Sequence, residues 1–303
     1  MSKFQSEYNI AHQSFEDFIL VVYVLVDDLY KKIAPKQVKC RRNVDKALLS
    51  DSEIITIGLC GELVGVDSEN AWYSLVRKNY RHLFPRMCDR SQFNRTRRNL
   101  TQVTDLIFTE LAKQFADEIF IVDSFPLEVC KFGRAHFCKL FRTEGASYSY
   151  NPSKKQTYFG FKVHVLTTSG GAIKAFEITP ANVDDRKPLH DLSLFANSGS
   201  VFLADKGYVS EKLAQKLKTQ GQTLLALKRD NSPQPYSPTL RKEIFRRRRR
   251  IETTFSQLAC QLNSQRVLAK SFAGLALRLL TKFLAFNLCF LLAQSCLIKS
   301  LIF

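Results

Sequence analysis

Two stretches of this sequence place an aspartate directly after a short apolar run. Residues 119–122 (Ile-Phe-Ile-Val) lead into Asp123, and residues 201–204 (Val-Phe-Leu-Ala) lead into Asp205. Such continuous apolar runs are typical of strands that are buried on both faces. A carboxylate at the end of a buried strand is costly to bury alone, so it is normally paired, hydrogen-bonded or bound to a metal ion. The two aspartates are therefore candidates for a functional site, the alternative being that each one caps a turn.

A third acidic residue follows the most basic run of the chain. Five consecutive arginines occupy residues 246–250, and Glu252 lies one helical turn after Arg248. Apolar residues at helical spacing predict a helix over residues 241–265, with its apolar stripe packed on a sheet. Considered alone, the arginines are typical of a solvated or phosphate-binding face, and the glutamate of an ion-pair partner.

The segments around these acids predict an α/β domain with a mixed sheet. Apolar and polar residues alternate over residues 157–167, and Gly170-Gly171 supplies a hairpin turn into the next strand. The order of strand, hairpin, helix, strand, helix and strand favours a mixed sheet covered by helices. The predicted strands are 119–123, 157–167, 172–179, 201–204 and 223–227, with helices near residues 188 and 213.

The first third of the chain predicts an all-α domain over residues 1–115. Acidic residues near Ser14 and lysines near residue 32 suit the dipole of a first helix, and Ser50 with Glu53 forms a capping-box pattern for a second. Ser91 is the expected N-cap of a long helix that ends near residue 115. Three arginines of this helix could contact DNA in a helix-turn-helix-like arrangement, namely Arg95, Arg97 and Arg98. The alternative is a solvated basic face on a helical bundle.

The chain carries a large positive charge. Lysine and arginine outnumber aspartate and glutamate by 45 to 28, which gives a net charge of +17 and a pI near 9.6. This excess favours a polyanionic partner, with nucleic acid ahead of an acidic membrane surface. In residues 131–156, which include Lys154 and Lys155, basic and aromatic residues are interleaved and could grip a backbone and stack on bases. The alternative for this stretch is a solvated loop.

Residues 272–303 are strongly apolar. Their longest uncharged span, residues 283–298, is shorter than the roughly 20 residues that a membrane helix needs, and Arg278 and Lys282 precede it. We expect a helix that packs on the sheet or on a partner subunit, and no membrane association. The eight cysteines form no CxxC pair and follow no secretory signal, so we expect reduced thiols in an intracellular protein.

The three acidic residues lie in motifs that resemble those of a known family. Asp123 lies in Val-Asp-Ser-Phe-Pro, Asp205 in Ala-Asp-Lys-Gly-Tyr and Glu252 in Arg-Arg-Ile-Glu-Thr-Thr-Phe. In this order they resemble the acidic residues of DDE transposases, and more closely those of the IS982 group of bacterial insertion sequences. The similarity covers nearly the whole chain, with further matches at Leu-Ser-Asp-Ser-Glu near residue 50, Asp-Arg-Ser-Gln-Phe-Asn-Arg near 90 and Ala-Asn-Val-Asp-Asp near 183.

The resemblance implies an RNase H-like catalytic domain over residues 116–303, including the C-terminal apolar helix. In that fold Asp123, Asp205 and Glu252 would converge and act as catalytic residues and metal ligands. Hard oxygen donors and a phosphodiester substrate favour Mg²⁺, with Mn²⁺ as a substitute. Two such ions would activate a water or a 3′-hydroxyl and stabilise the leaving oxygen.

Related insertion-sequence transposases carry an arginine four residues before the glutamate, and Arg248 matches it as a DNA-phosphate contact. Phe245 and Ala259 stand where those proteins have a tyrosine and a lysine, so neither role is transferred. Asp184 and Asp185 compete with Asp205 for the second acidic position, but they follow a loop and are expected to be structural or DNA-proximal. The full set of expected DNA contacts is Arg95, Arg97, Arg98, Lys154, Lys155, Arg247 and Arg248.

The function that this resemblance implies is transposition. The protein would cut double-stranded DNA at the terminal inverted repeats of an insertion sequence and join the 3′-hydroxyl ends to target DNA. It would act in the cytoplasm on the nucleoid, as a homodimer or larger oligomer. Two alternatives are a non-catalytic DNA-binding repressor derived from a transposase and an RNase H-fold nuclease that cuts without joining.

Overall fold

A computed structural model describes residues 14–139, 141–152, 154–228 and 235–294. The chain divides into two units. The helical unit consists of Met1–Leu111 and Cys260–Phe303, and the sheet unit is Ala112–Ala259. The predicted division into residues 1–115 and 116–303 differs from this grouping at the C-terminus, because the last helix belongs to the helical unit.

The helical unit begins as the sequence predicts and then departs from it. Capping boxes at Ser14 and Ser50 start the first and third helices. The long helix expected from Ser91 is instead two helices that meet at Leu100, and its N-cap is Asp89, whose carboxylate accepts from the backbone amides of residues 91 and 92. The helices are α1 (Phe15–Ile33), α2 (Lys36–Lys39), α3 (Asp51–Leu63), α4 (Glu69–Asn79), α5 (Arg90–Asn99), α6 (Thr101–Lys113) and, at the end of the chain, α10 (Phe272–Gln294).

Helix α10 packs within the helical unit around a buried ion cluster. Glu62 of α3 is 4% exposed and accepts hydrogen bonds from Arg278 (3.0 and 3.1 Å) and from Lys282. Burial raises the pKa of Glu62, but Lys282 and Arg278 outweigh it and hold the pKa below its ordinary value. Residues 272–293 are long and apolar enough to cross a membrane, yet 89% of the most apolar window is buried in the protein, as in a core helix. The apolar stretch beyond residue 294 lies outside the described residues.

The sheet unit contains the predicted mixed sheet, and the predicted α/β class is confirmed. The sheet order is β2-β3-β1-β5-β6, with β4 also paired to β3. Strand β1 is antiparallel to β3 and parallel to β5, and β5 is parallel to β6. The elements are β1 (Ile119–Glu128), β2 (Ser147–Asn151), β3 (Gln156–Thr168), β4 (Ile173–Pro180), α7 (Arg186–Ser193), β5 (Val201–Ala204), α8 (Glu211–Thr219), β6 (Thr223–Ala226) and α9 (Pro238–Leu262).

Strand β1 is longer than the sequence predicts. It continues through Pro126, which pairs with Lys162 of β3, to Glu128. The pairing of β1 with β5 ends at Ile121, so Pro126 lies where the other edge of β1 has no strand partner. A proline is tolerated at such a position because no second ladder requires its missing N–H.

Helices cover both faces of this sheet, because successive strand residues point to opposite sides. Phe120 and Val122 of β1 pack with residues of α7 and α8. Ile121, which lies between them, packs with Leu203 and with Ile244 and Ile251 of α9. Asp123 follows the alternation of Ile121, so it belongs to the face that α9 covers.

Candidate active site

The parallel register of β1 and β5 brings the two aspartates together. Ile121 pairs with Leu203, and Asp123 and Asp205 each lie two residues further along their strands. Adjacent strands are about 4.8 Å apart, so the two acids are neighbours, Asp123 within β1 and Asp205 directly after β5. The side chain of Asp123 is 20% exposed and that of Asp205 is 47% exposed.

Helix α9 supplies the third acid and a cation. Ile244 and Ile251 anchor α9 on the sheet, and Arg248 lies between them on the same buried face. Glu252 lies one turn after Arg248 at the edge of that face, and its side chain is 57% exposed. The helix therefore directs a guanidinium and a carboxylate toward the middle of β1, where Asp123 lies, and toward the C-terminal end of β5.

The guanidinium of Arg248 contacts all three acids. Its Nη2 lies 2.9 Å from Asp123 Oδ2 and 3.8 Å from Asp205 Oδ2, and its Nη1 lies 3.1 Å from Glu252 Oε1. Three carboxylates from distant parts of the sequence thus converge on one cationic group. The sequence predicted that these residues converge on a metal ion, but it did not indicate that Arg248 would stand among them.

Burial perturbs the ionisation of Asp123. Burial raises its pKa to about 6, and this outweighs the lowering by Arg248 and by the hydrogen bond that Ser124 N donates at 2.9 Å. The negative charges of Asp205 and Asp185 also raise it. A carboxylate with such a pKa binds a proton or a cation more readily than an exposed aspartate does.

Asp185, which competes with Asp205 for the second acidic position in the sequence, belongs to a hydrogen-bonded network next to Asp123. Asp185 accepts a hydrogen bond from Ser124 Oγ at 3.1 Å and pairs with Lys162 Nζ at 2.9 Å. Its Oδ1 lies 3.6 Å from Nδ1 of His164, which is fully buried and bonded to Thr179 at 2.9 Å. Burial lowers the pKa of His164 to about 4, so the ring is neutral at physiological pH. Asp185 is thus held by Ser124 of β1 and Lys162 of β3, beside Asp123.

Two residues of this site were missed by the sequence reasoning. Lys162 was seen only as a polar position of an alternating strand, although that alternation places it on one face with His164. Tyr208 ends the Ala-Asp-Lys-Gly-Tyr motif and is buried, and its hydroxyl has no hydrogen-bond partner among the described residues. Burial, and then the charges of Asp123 and Asp185, raise the pKa of Tyr208 well above its ordinary value, so the hydroxyl remains protonated.

The expected DNA contacts fall into two groups. Arg95, Arg98, Lys154 and Lys155 are exposed. Arg97 is buried instead, and its guanidinium donates to Glu69 at 2.8 Å and to Thr281 at 3.3 Å. The expectation for Arg97 is therefore corrected, because its guanidinium lies inside the helical unit among Glu62, Glu69 and Thr281 and not on an exposed helix face. Arg247 is exposed and forms an ion pair with Glu243. The guanidinium of Arg248 is paired with the three acids.

The donor chemistry of the site suits a divalent cation. Asp123, Asp205 and Glu252 offer hard carboxylate oxygens, which Mg²⁺ and Mn²⁺ prefer. As the side chains are placed, however, no three acidic, histidine or cysteine residues in the described ranges are arranged to hold a metal ion together. The guanidinium of Arg248 explains this, because it lies within 4 Å of all three carboxylates.

Comparisons with known proteins give the family and the fold of this chain. The family described as "Transposase DDE domain" matches residues 113–268, which contain all three acids. No curated protein gives a significant match. Among solved structures, the piggyBac transposase synaptic complex with hairpin DNA is similar at a TM-score of 0.50 and 12% identity, over 100% of this chain and 77% of that one. A pre-cleavage Mos1 transpososome matches at a TM-score of 0.30 and 14% identity, over 93% and 95% of the two chains. The first likeness shows the fold, an RNase H-like mixed sheet.

Proposed function

The chain belongs to the DDE transposase family, and we propose that Asp123, Asp205 and Glu252 are the three acidic residues after which the family is named. The protein is thus an enzyme that cuts and joins DNA. The observation that carries the assignment of residues is their convergence on Arg248, from two adjacent strands and one helix. Asp205 is preferred over Asp184 as the second acid because Asp184 is paired with Arg186 away from this cluster.

DDE transposases generally use divalent metal ions, and we propose Mg²⁺ for this enzyme, with Mn²⁺ as a substitute. Two such ions, held by the three carboxylates, would activate the attacking water or 3′-hydroxyl and stabilise the leaving oxygen. The carboxylates themselves act as ligands, so no side chain of the protein becomes covalently attached to DNA.

Arg248 and the metal ion compete for the same carboxylate oxygens. When the metal ion takes these oxygens, the guanidinium would be released to pair with another anion, and a DNA phosphate bound at the acids would supply one. Arginine suits this role because its planar donors bind phosphate in the same way as carboxylate. We therefore assign Arg248 a phosphate contact that forms only when its ion pairs with the acids are exchanged.

The DNA that the enzyme acts on comprises, in this proposal, the terminal inverted repeats of an insertion sequence of the IS982 group and the target DNA. Arg95 and Arg98 would contact phosphates from the helical unit, and Lys154 and Lys155 from the sheet unit. All four are exposed cations on a chain with a net charge of +17. We propose that a homodimer or larger oligomer acts on the nucleoid in the cytoplasm.

A cleavage and joining assay tests the assignment. Purified protein is incubated with Mg²⁺ and labelled duplexes that carry the element ends, and binding, nicking and joining are measured separately. Asp123→Ala, Asp205→Ala and Glu252→Ala are each expected to lose nicking while duplex binding changes little. Asp191→Ala, an exposed acid on α7, is the matched control and should nick normally. Nicking retained by all three site variants would overturn the assignment.

The wild-type protein also separates the alternatives in this assay. Binding without nicking would indicate a non-catalytic repressor, and nicking without joining would indicate a nuclease. Joined products that require all three acids are the expected result.

A further inference from the structure

The sheet unit exposes three aromatic rings on and beside strand β2. Phe132 is 56% exposed, Tyr148 is 45% exposed and Tyr150 is 57% exposed. The two tyrosines are two residues apart on one strand, so they share a face. The ring centroid of Phe132 lies 6.1 Å from that of Tyr148, edge to face. We refer to these three rings as the β2 aromatic surface.

The ring of Tyr148 in this surface is held by contacts with the sheet. Tyr148 pairs across the ladder with the buried Phe159 of β3, at a centroid separation of 4.9 Å. The guanidinium of Arg142 lies 6.0 Å from the centre of the Phe159 ring, and its Nη2 donates to the carbonyls of Ala135 and His136 at 3.2 Å. The exposed rings therefore rest on ordered residues, and a ligand that stacks on them orders little further chain.

The charge around the rings selects the class of ligand. Residues 131–157 contain four lysines and two arginines against one glutamate, a net charge of +5. Lys131 and Arg134 flank Phe132, and Lys154 and Lys155 follow Tyr150 in the turn to β3; all four are exposed. A second copy of this surface would bring like charge against like charge. A ligand with flat apolar faces and regularly spaced negative charges fits both features, and unpaired nucleotides have both.

We propose that the β2 aromatic surface binds single-stranded DNA, with unpaired bases stacked on its rings and phosphates on the flanking lysines and arginines. Bases inside an intact duplex present no free face, so the surface discriminates single strands from double strands. The ligand follows from the rings and the charge of this surface. Only its place relative to the cleavage site rests on the proposed function.

The distance between the β2 aromatic surface and the catalytic acids follows from the register of β3. Val165 pairs with Asp123, and Phe159, six residues earlier on the same strand, pairs with Tyr148. At about 3.3 Å per residue the rings lie about 20 Å from the catalytic acids along the strand. With about 3.4 Å per nucleotide in a DNA strand, the stacked bases are about six nucleotides from the scissile phosphate.

Fluorescence anisotropy of the full chain with labelled single-stranded and duplex DNA of one sequence tests the proposal, with EDTA present so that no cleavage occurs. In Tyr148→Ala/Tyr150→Ala, single-strand affinity should fall about 100-fold, roughly tenfold for each ring lost, whereas duplex affinity should not change. A 2-aminopurine base in the single strand should be quenched on binding to the wild type but not on binding to this variant.

Two matched variants make the test specific. Tyr148→Phe/Tyr150→Phe keeps the rings and should bind single strands like the wild type, with the same quenching. Lys154→Gln/Lys155→Gln should lower the slope of log affinity against log salt by about 1.4 for single strands, while quenching persists.

Three results would overturn the proposal: unchanged single-strand affinity in the alanine variant, an equal loss of single-strand and duplex affinity in it, or a change in its oligomeric state without a change in affinity. The last would identify the surface as an interface between copies. The assay is carried out in EDTA and measures binding only, so its result does not depend on the assignment of the catalytic acids.

Discussion

Replacing Asp123 by asparagine should stabilise the sheet unit at the pH at which the enzyme works. The carboxylate is mostly buried, and burial raises its pKa to about 6 even though Arg248 donates a hydrogen bond to it. The ordinary value for aspartate is about 4. Asparagine has nearly the same shape and cannot ionise, so the variant lacks the cost of charging this position.

The size and sign of the effect follow from the pKa shift. A shift of about two units corresponds to about 3 kcal/mol, at roughly 1.4 kcal/mol per unit. Because the folded protein binds this proton more tightly than the unfolded chain does, wild-type stability falls as pH rises from about 4 through about 6. Asp123→Asn should therefore be about 3 kcal/mol more stable than the wild type at pH 8 and equal to it near pH 4.

Urea unfolding at several pH values, without divalent metal, measures this difference. Circular dichroism follows the whole chain, while the fluorescence of Trp72, the single tryptophan, reports the helical unit and should not respond. Asp191→Asn replaces an exposed acid of the sheet unit and should change stability by less than about 0.5 kcal/mol at every pH. Added Mg²⁺ should stabilise the wild type more than Asp123→Asn, because the variant has lost a ligand.

The reasoning is refuted if Asp123→Asn is less stable than the wild type at pH 8. That result would mean that the ion pair with Arg248 contributes more than burial costs. A difference that is the same at pH 4 and pH 8 would also refute it, because ionisation would then not be the cause.

Three further predictions concern packing and charge. Arg97→Ala should destabilise the helical unit by about 3 kcal/mol without changing the salt dependence of DNA binding, whereas Arg98→Ala should lower the salt slope by about one and leave stability unchanged. Glu62→Gln should cost about 3–5 kcal/mol in urea unfolding, because the buried arginine and lysine around it lose their counter-charge. Gly160→Ala should cost about 2 kcal/mol or more, because a Cβ there would lie 2.2 Å from the carbonyl oxygen of Leu127.

Each of these has a control and a contradicting result. A lower salt slope in Arg97→Ala at full stability would show that this side chain reaches DNA after all. Glu211→Gln, an exposed glutamate on α8, controls for Glu62→Gln, and equal stability of the two variants would contradict the role of the buried cluster. Gly133→Ala adds a Cβ with no atom within 4 Å, so a comparable loss there would show that steric overlap is not what constrains Gly160.

Asp123 and Asp205 could be singled out from the sequence because the apolar runs before them form the buried strands that those runs indicate. An apolar run that ends in aspartate indicates a buried strand, and two such strands that lie parallel in one sheet must present their aspartates at one edge. Helical spacing placed Glu252 beside the apolar stripe of α9, which Ile244 and Ile251 hold against the sheet, whereas its role as the third acid was implied by the resemblance to DDE transposases. Sheet register, by contrast, depends on residues far apart in sequence and became visible only in the structure.

The misplaced arginine shows where such reasoning fails. Arg97 lies four residues after Phe93 and three before Leu100, all buried, so it occupies the apolar stripe of α5. The sequence shows this helical spacing, but a charged residue such as Arg97 is normally expected to be exposed. Only Glu62 and Glu69, on two other helices, make burial of this guanidinium tolerable. The C-terminal helix was assigned to the other unit for a similar reason, since the partner that holds it is more than 200 residues away in sequence.

The parallel register of β1 and β5 has a consequence for how such enzymes can change over time. The spacing of Asp123 and Asp205 is fixed by the backbone ladder from Ile119 to Ile121 with Val201 to Leu203, not by the chain that connects them. The loops that join the strands and the helix within residues 129–200 can therefore lengthen or shorten while the distance between the two acids stays the same. Glu252 has no such backbone constraint, because it depends on how α9 rests against the sheet. Variation in the apolar contacts of Ile244 and Ile251 with the sheet is thus the change to which the position of Glu252 is most sensitive.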